Sequence, residues 1–295
     1  MVEVDYRRFL RKRYLLIELF RLGERKLLKR TVSGIFLMLL LTSMLSSAFN
    51  IQPVKAEPRT ITVPDDYPTI QEAISAAGSG DTVFVHSGIY HEHDIVIDKT
   101  LKLIGENPDS TIIDGSTGTA DVIRVMYADD VTITGFTIRW GYGALCGVIL
   151  RGCHSNTIAH NKLTNNCFCI FLQESSETNV ITANNIIDNE VGIVVWGSNK
   201  NYIFHNNFID NTEQTLCVES YENLWDDGYP SGGNYWSDYT GVDEKSGRNQ
   251  NSLGSDGIGD TPYIIDYYNK DRYPLMKPWT PTPPPPCMHS VESSD

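Results

Sequence analysis

Apolar columns repeat along the middle of this chain with one shared drift, and this restricts its fold more than any other feature. Ile133, Ile158, Ile181 and Ile203 are separated by 25, 23 and 22 residues, as are Ile138, Leu163, Ile186 and Phe208. Asn161, Asn184 and Asn206 follow at 23 and 22, and so do Asn166, Asn189 and Asn211. Each repeat also carries an alternating apolar pair: Ile123/Val125, Val148/Leu150, Ile170/Leu172, Ile193/Val195 and Leu216/Val218. A fixed period of this kind marks a solenoid, because one such unit cannot bury its apolar face alone. The segments between columns are too short for helices and rich in Asn, Ser, Thr, Gly and Asp, so each repeat reads as two or three short strands joined by turns. Identical columns require every coil to sit on the last in the same direction, about 4.8 Å apart. The expected fold is therefore all-β: a right-handed parallel β-helix. Ile and Leu columns fill its lumen, and turn Asn residues form amide ladders between coils.

A stack needs covered ends, since an open edge pairs with other chains. Residues 69–78 (TIQEAISAAG) predict a short amphipathic helix over the first coil. Thr69 and Glu72 form a capping box, Ile70, Ala73, Ile74 and Ala77 the apolar face, and Gly78 the stop. Residues 81–85, 93–97 and 101–105 are read as the first strands, with coils running from about 81 to 218. The periodicity stops after Val218. Residues 223–239 (NLWDDGYPSGGNYWSDY) are aromatic and Gly-rich, and Trp225, Tyr235, Trp236 and Tyr239 are expected to close the last coil. The predicted organisation is 1–56 a basic region with a signal peptide or membrane anchor, 57–222 the β-helix, 223–280 the closing segment, and 281–295 a Pro-rich linker and tail.

Charge divides the chain. Residues 1–30 hold ten Lys/Arg against four acids, whereas the remainder holds 14 against 33. So acidic a body repels nucleic acid and anionic lipid, which excludes a nucleic-acid function for the folded part. The basic stretch runs into an apolar segment, 34–48 (GIFLMLLLTSMLSSA), ending in small residues. That is the layout of a secretory signal, cleaved after Ala48 or Ala56; the apolar run 31–49 is also just long enough to span a bilayer as an anchor. Either way the body is expected outside the cytoplasm, secreted or on the surface, with the membrane reached only through this segment. Six cysteines (Cys146, Cys153, Cys167, Cys169, Cys217, Cys287) fit no metal-knuckle spacing and read as disulfide partners or small fillers of repeat positions.

The run PDDYPTIQEAISAAGSGDTVFVHSGIYHEHDIVIDKTLKLIGE, then DVTITGFTI and the repeats NTIAHN, NVITANN and NYIFHNN, resembles the NosD-type β-helix family. That family belongs to the pectate-lyase-like superfamily with its carbohydrate-binding and sugar-hydrolase-type repeats. The tail GNYWSDYTG…SDGIGDTPYIID…DRYPLMKPW resembles the closing segment of such proteins on prokaryotic surfaces. The likeness covers about 58–279 and implies the fold. For chemistry it implies either a polysaccharide ligand or, through the family name, copper in the periplasm.

Several groups of side chains could carry chemistry. Asp188 and Asp210 share a column on neighbouring coils, which fits a catalytic acid pair, a cation site or a solvated turn. Asp256-Gly257-Ile258-Gly259-Asp260, preceded by Asp243 and Glu244, fits a calcium loop or a glycine turn. His91 and His93 alternate along an expected strand and could clip copper with two imidazoles. Cys167 and Cys169 alternate likewise. His160 and His205 share a column but lie two coils apart, about 9.6 Å, with Ala183 between them, and cannot chelate one ion. Three functions are expected from these features: a non-catalytic surface module binding polysaccharide or a surface glycoprotein; a polysaccharide lyase, hydrolase or epimerase; and a copper-binding maturation protein.

Overall fold

A computed structural model describes residues 57–139 and 146–281. The chain divides into two compact units, Met1–Glu57 and Pro58–Asp295, and the described strands and helix belong to the second. The signal or anchor at 31–49 lies outside the described residues; among those described, no helix is long and apolar enough to cross a membrane.

The fold is an all-β parallel solenoid of about seven coils, of the right-handed type. Each full coil contributes one strand to each of three parallel sheets. Sheet 1 runs from Thr60–Val63 through Thr82–Val85 and Lys102–Gly105 to Tyr202–Phe204. Sheet 2 runs from Gly88–Tyr90 to Asn207–Ile209 and Tyr235–Trp236. Sheet 3 runs from Ile95–Ile97 to Glu213–Val218. The columns seen in the sequence are the registers of these sheets: Ile133, Ile158, Ile181 and Ile203 pair in order in sheet 1, and Ile138, Leu163, Ile186 and Phe208 in sheet 2. All eight are buried. The last apolar pair of sheet 3 is the exception: Thr215 and Cys217, not Leu216 and Val218, stand opposite Ile193 and Val195, and Leu216 faces outward. Burying each lumen side chain of these columns stabilises by roughly 1.5–3 kcal/mol.

The coils begin earlier than the sequence suggested. Thr60–Val63 already pairs with Thr82–Val85, and the helix Ile70–Ala76 is inserted between those strands. Thr69 is its N-cap, its hydroxyl accepting from the Glu72 amide at 3.2 Å. Glu92 supplies the rest of the N-terminal cap, its carboxylate accepting from the Ile70 and Gln71 amides. At the other end the Lys99 ammonium donates to the Ile74 and Ala77 carbonyls. The helix also blunts an exposed edge, because Gln71 Oε1 accepts the Val96 N–H of the first sheet-3 strand at 2.6 Å.

In the later coils a residue with positive φ precedes each ladder residue, whereas in the first coils Asp94 and Asp130 precede the apolar Ile95 and Val131. Between sheets 1 and 2, His160, Ala183 and His205 (φ 56°, 57° and 59°) precede Asn161, Asn184 and Asn206. Each ladder Asn accepts the backbone N–H of its counterpart one coil earlier, at 3.0 Å for Asn161→Asn184 and 3.1 Å for Asn184→Asn206. Its own amide group donates to buried carbonyls, as Asn184 does to Ile158 at 2.8 Å and Thr182 at 3.0 Å. Asn166, Asn189 and Asn211 form the second ladder. A third, Asn156–Asn179–Asn201–Asn223, runs between sheets 3 and 1, beside a serine column Ser176–Ser198–Ser220 that begins at Cys153. The sequence reading missed this third ladder, although its 23, 22, 22 spacing is as regular as the others.

The C-terminal segment continues the lumen in aromatic side chains. Trp236 lies sandwiched between Phe208 and Tyr263, 4.2 Å from each ring at 9° and 4°. Trp225 and Trp236 are buried. The ladder between sheets 1 and 2 is extended by Asn234 and ends on the Asp271 carboxylate, which accepts from Asn234 N (2.7 Å), Trp236 Nε1 (2.9 Å) and Tyr273 N (3.0 Å). Asp226 and Arg272 form a two-point ion pair at 2.7 and 2.9 Å.

Candidate functional site

Most of the residues singled out for chemistry have structural work in this fold. Asp188 and Asp210 occupy the positive-φ turn position (55° and 53°) immediately before the ladder residues Asn189 and Asn211. Asp is among the side chains that tolerate this conformation, and the two share a column because the turn repeats. Both are exposed. Asp256 and Asp260 lie in a loop where the carboxylates face backbone donors. Asp256 accepts from Gly247 N and Ile258 N, and Asp260 from Lys245 N and Glu244 N. Asp243 accepts from Ser255 Oγ, Asp256 N and Gly257 N. Burial pushes the Asp243 carboxyl up, but these donors prevail and hold it below its ordinary value.

His91 and His93 lie outside a strand, which corrects the expected alternation: Gly88–Tyr90 ends before them and Ile95–Ile97 starts after them. Asp94 takes a positive φ of 59° between them and the next strand, and Glu92 turns to the helix amides. Both imidazoles are exposed. Cys146, Cys153, Cys167, Cys169 and Cys217 carry free thiols, and Cys287 lies outside the described residues. Burial pushes all five upward. Cys169 fills a corner position held by Gly147 and Gly192 on the neighbouring coils, where a larger side chain would meet the next coil's carbonyl. Among the described residues no group of three or more His, Cys, Asp or Glu side chains is placed to hold a metal ion.

The outer face of sheet 3 is different. From Cys146–Arg151 onward its strands are six residues long, against three in most strands of the other sheets, so it presents a broad surface. Alternation sends Val148 and Leu150 into the lumen and Ile149 and Arg151 outward. In register, Arg124, Ile149, Phe171, Val194 and Leu216 form one outward column; Met126, Arg151 and Gln173 form the next. A cleft of about 240 Å³ opens here, walled by Phe168 and Phe171 and edged by Arg124, Arg151, Gln173 and Asp121. The two phenyl rings meet edge to face, 5.9 Å apart.

The two arginines at the cleft are each paired with a carboxylate. Arg124 pairs with Asp94. Arg151 Nε donates to Glu174 Oε1 at 2.7 Å, and the Tyr127 hydroxyl donates to Glu174 Oε2 at 3.0 Å. The Arg151 hydrogen bond, then that of Tyr127, holds the Glu174 carboxyl below its ordinary value. Asp121 accepts the Cys146 N–H at 3.0 Å. Arg124 Nε, by contrast, is buried and has no hydrogen-bond partner among the described residues. That N–H has no accessible surface and is not itself presented to a ligand; it is the rest of the Arg124 side chain, partly exposed, that lines the cleft. No sequence signal marked this place. The lumen pairs recur on every coil, but the outward residues Arg124, Ile149, Phe171 and Val194 change character from one coil to the next and form no column that a sequence period would show.

These features define a class: an all-β parallel solenoid with internal amide ladders and a surface cleft on its widest sheet. The chain belongs to the NosD family. The family described as periplasmic copper-binding protein (NosD) matches residues 75–241, more than half of the chain. A curated relative, the probable ABC transporter binding protein NosD of Pseudomonas aeruginosa, is 33% identical over 124 residues. That match covers 41% of this chain and 26% of the relative, so the chain spans about a quarter of the relative's length. Among solved structures, an alginate lyase from Paenibacillus sp. aligns at 16% identity and TM-score 0.43, covering 56% of this chain and 66% of that one. The pectin methylesterase PemA of Erwinia chrysanthemi aligns at 11% and TM-score 0.28, covering 56% and 78%. Likeness at that level says nothing about activity.

Proposed function

We infer that the protein is an exported binding module that takes a neutral, hydroxyl-rich glycan along the outer face of sheet 3. The observation that carries this reading is the cleft on sheet 3, where the aromatic walls Phe168 and Phe171 stand beside Arg124 and Arg151, each paired with a carboxylate. Phenyl faces suit the C–H faces of sugar rings. Guanidinium, amide and carboxylate groups together offer both donors and acceptors to hydroxyls. With Arg124 and Arg151 each facing a carboxylate, no uncompensated cation remains at the cleft to demand an anionic ligand. The signal-like segment and the family's periplasmic description support export.

The test is a glycan-array screen of the full chain, followed by calorimetric titration of the strongest hit into the wild type and the Arg124→Ala and Phe171→Ala variants. Loss of a hydrogen bond from a charged group costs about 1.5–3 kcal/mol, so affinity should fall about tenfold or more in Arg124→Ala. Unchanged affinity in both variants would overturn the site. Cleavage of the glycan by the wild type would overturn a pure binding role.

A further inference from the structure

A second cleft, of about 180 Å³, lies on sheet 2 where Trp279 comes back against the coils. Trp279 stacks its indole on His205, with centroids 5.2 Å apart at 12°, and inclines toward His160 at 6.4 Å and 45°. His205 is itself held, its Nε2 lying 3.0 Å from the Ser231 carbonyl. Asn207 fixes the Trp279 backbone at both polar atoms: its Oδ1 accepts the N–H at 2.6 Å and its Nδ2 donates to the carbonyl at 3.1 Å. Pro108, whose carbonyl accepts the Thr137 hydroxyl, and Pro281 add apolar surface to the lining.

The polar part of the lining consists mainly of donors. Lys162 and Asn185 stand one coil apart in the column that leads to Asn207. Asn207 Nδ2 donates to Asn185 Oδ1 at 2.8 Å, which orients that amide and leaves Asn185 Nδ2 without a partner among the described residues. Between residues 103 and 199 the basic side chains are Arg124, Arg139, Arg151 and Lys162. The three arginines each pair with a carboxylate. Lys162 has no such pair among the described residues, although the chain carries a net charge of −13. It is half-buried, so an anion brought beside it is screened less than one at an open surface.

We propose that this cleft binds an aromatic monocarboxylate, its ring against the Trp279 indole and the prolines and its carboxylate on Lys162 Nζ and Asn185 Nδ2. One ammonium matches one negative charge, and Asp109, the one carboxylate that lines the cleft, disfavours a second. Indole, imidazole and proline surfaces suit a ring that stacks offset or edge-on. Drug-sized ligands take roughly 300–1,000 Å³, so this smaller space suits a single ring.

The experiment is titration of benzoate into the full chain, followed by calorimetry and by the tryptophan indole N–H resonances. A saturable shift of the Trp279 resonance is expected. Lys162→Met should weaken benzoate at least about tenfold, with its thermal midpoint unchanged. Asn185→Asp keeps an acceptor for Asn207 and sets a like charge before the ligand, and it should weaken benzoate as much. Acetate, the charge without the ring, and benzyl alcohol, the ring without the charge, should each bind the wild type at least about tenfold more weakly. Full affinity in Lys162→Met, or no saturable shift with benzoate, would overturn the proposal. So would tighter binding of glucuronate, whose carboxylate sits on a hydroxylated ring, or of inorganic phosphate. Phe171→Ala should bind benzoate normally, so this site and the sheet-3 site stand or fall separately.

Discussion

Replacing Asn184 by Ala tests the ladder argument directly. Asn184 Oδ1 accepts the buried Asn161 N–H at 3.0 Å and one of its amide hydrogens at 3.2 Å. Asn184 Nδ2 donates to the carbonyls of Ile158 and Thr182 and to Asn206 Oδ1. The Asn161 amide group keeps the Ile133 and Ala159 carbonyls in the variant, but its backbone N–H is orphaned. Each buried group left without a partner costs about 1–3 kcal/mol. With the orphaned N–H and two weakened carbonyls, the total should be about 3 kcal/mol or more. In a domain of this size 1 kcal/mol moves the midpoint by about 2–4 °C, so the thermal midpoint should drop by about 6–12 °C. Differential scanning calorimetry measures it, with circular dichroism to show that the variant still folds. Because coils can unfold in stages, the first transition is the one to follow. A drop of less than about 2 °C, or about 1 kcal/mol, would refute the claim that ladder amides hold the turns.

Four further outcomes are expected of the same structure. Burial pushes the Asp271 carboxyl up to about 7 against the pull of its N–H donors, whereas an unfolded chain's Asp ionises at about 3.9; the fold therefore holds an extra proton between these values, and the contribution of Asp271 to stability is full below about pH 4 and lost as pH rises through about 7. Thermal midpoints at pH 5 and pH 8 should show this loss, and Asp271→Asn should flatten it; an equal slope in the variant would refute the assignment. Asp188→Asn should alter stability by less than about 0.5 kcal/mol, because Asn also accepts positive φ, whereas Asp188→Val should cost about 1–2 kcal/mol in urea titrations. Asp243→Ala should lower the midpoint equally in chelator and in calcium, since three donors of its own loop face that carboxylate; a loss seen only in calcium would show a cation at work. Gln71→Ala exposes the Val96 edge amide and should promote oligomers visible by light scattering, and a strictly unchanged mass would refute the edge role.

The fold was readable in the sequence because its strongest signals are lumen and ladder residues, which repeat wherever the coil repeats. Ile158, Asn161 and Leu163 recur for packing reasons, and the same regularity made Asp188 and Asp210 look like a pair when they share a turn conformation. What lay outside the period was harder to see. Asp271 meets Asn234 and Trp236 across 37 and 35 residues with no counterpart on another coil. Trp279 reaches Asn207 across 72 residues. The strand Thr60–Val63 was passed over because a helix separates it from its partner. At His91 and His93 the alternation was correct as a pattern and wrong as a strand, since Asp94 turns the chain there. The sheet-3 cleft stayed hidden because its outward residues, such as Arg124, Ile149 and Phe171, do not repeat from coil to coil.

Hydrogen exchange with mass spectrometry on the full chain, with and without the glycan selected by the array, tests the binding surface most directly. The account predicts slower exchange confined to Ile123–Met126, Cys146–Arg151 and Phe168–Gln173. Protection centred instead on the loop at 243–260 or on the turns at His160 and His205, or no change at saturating glycan, would contradict it.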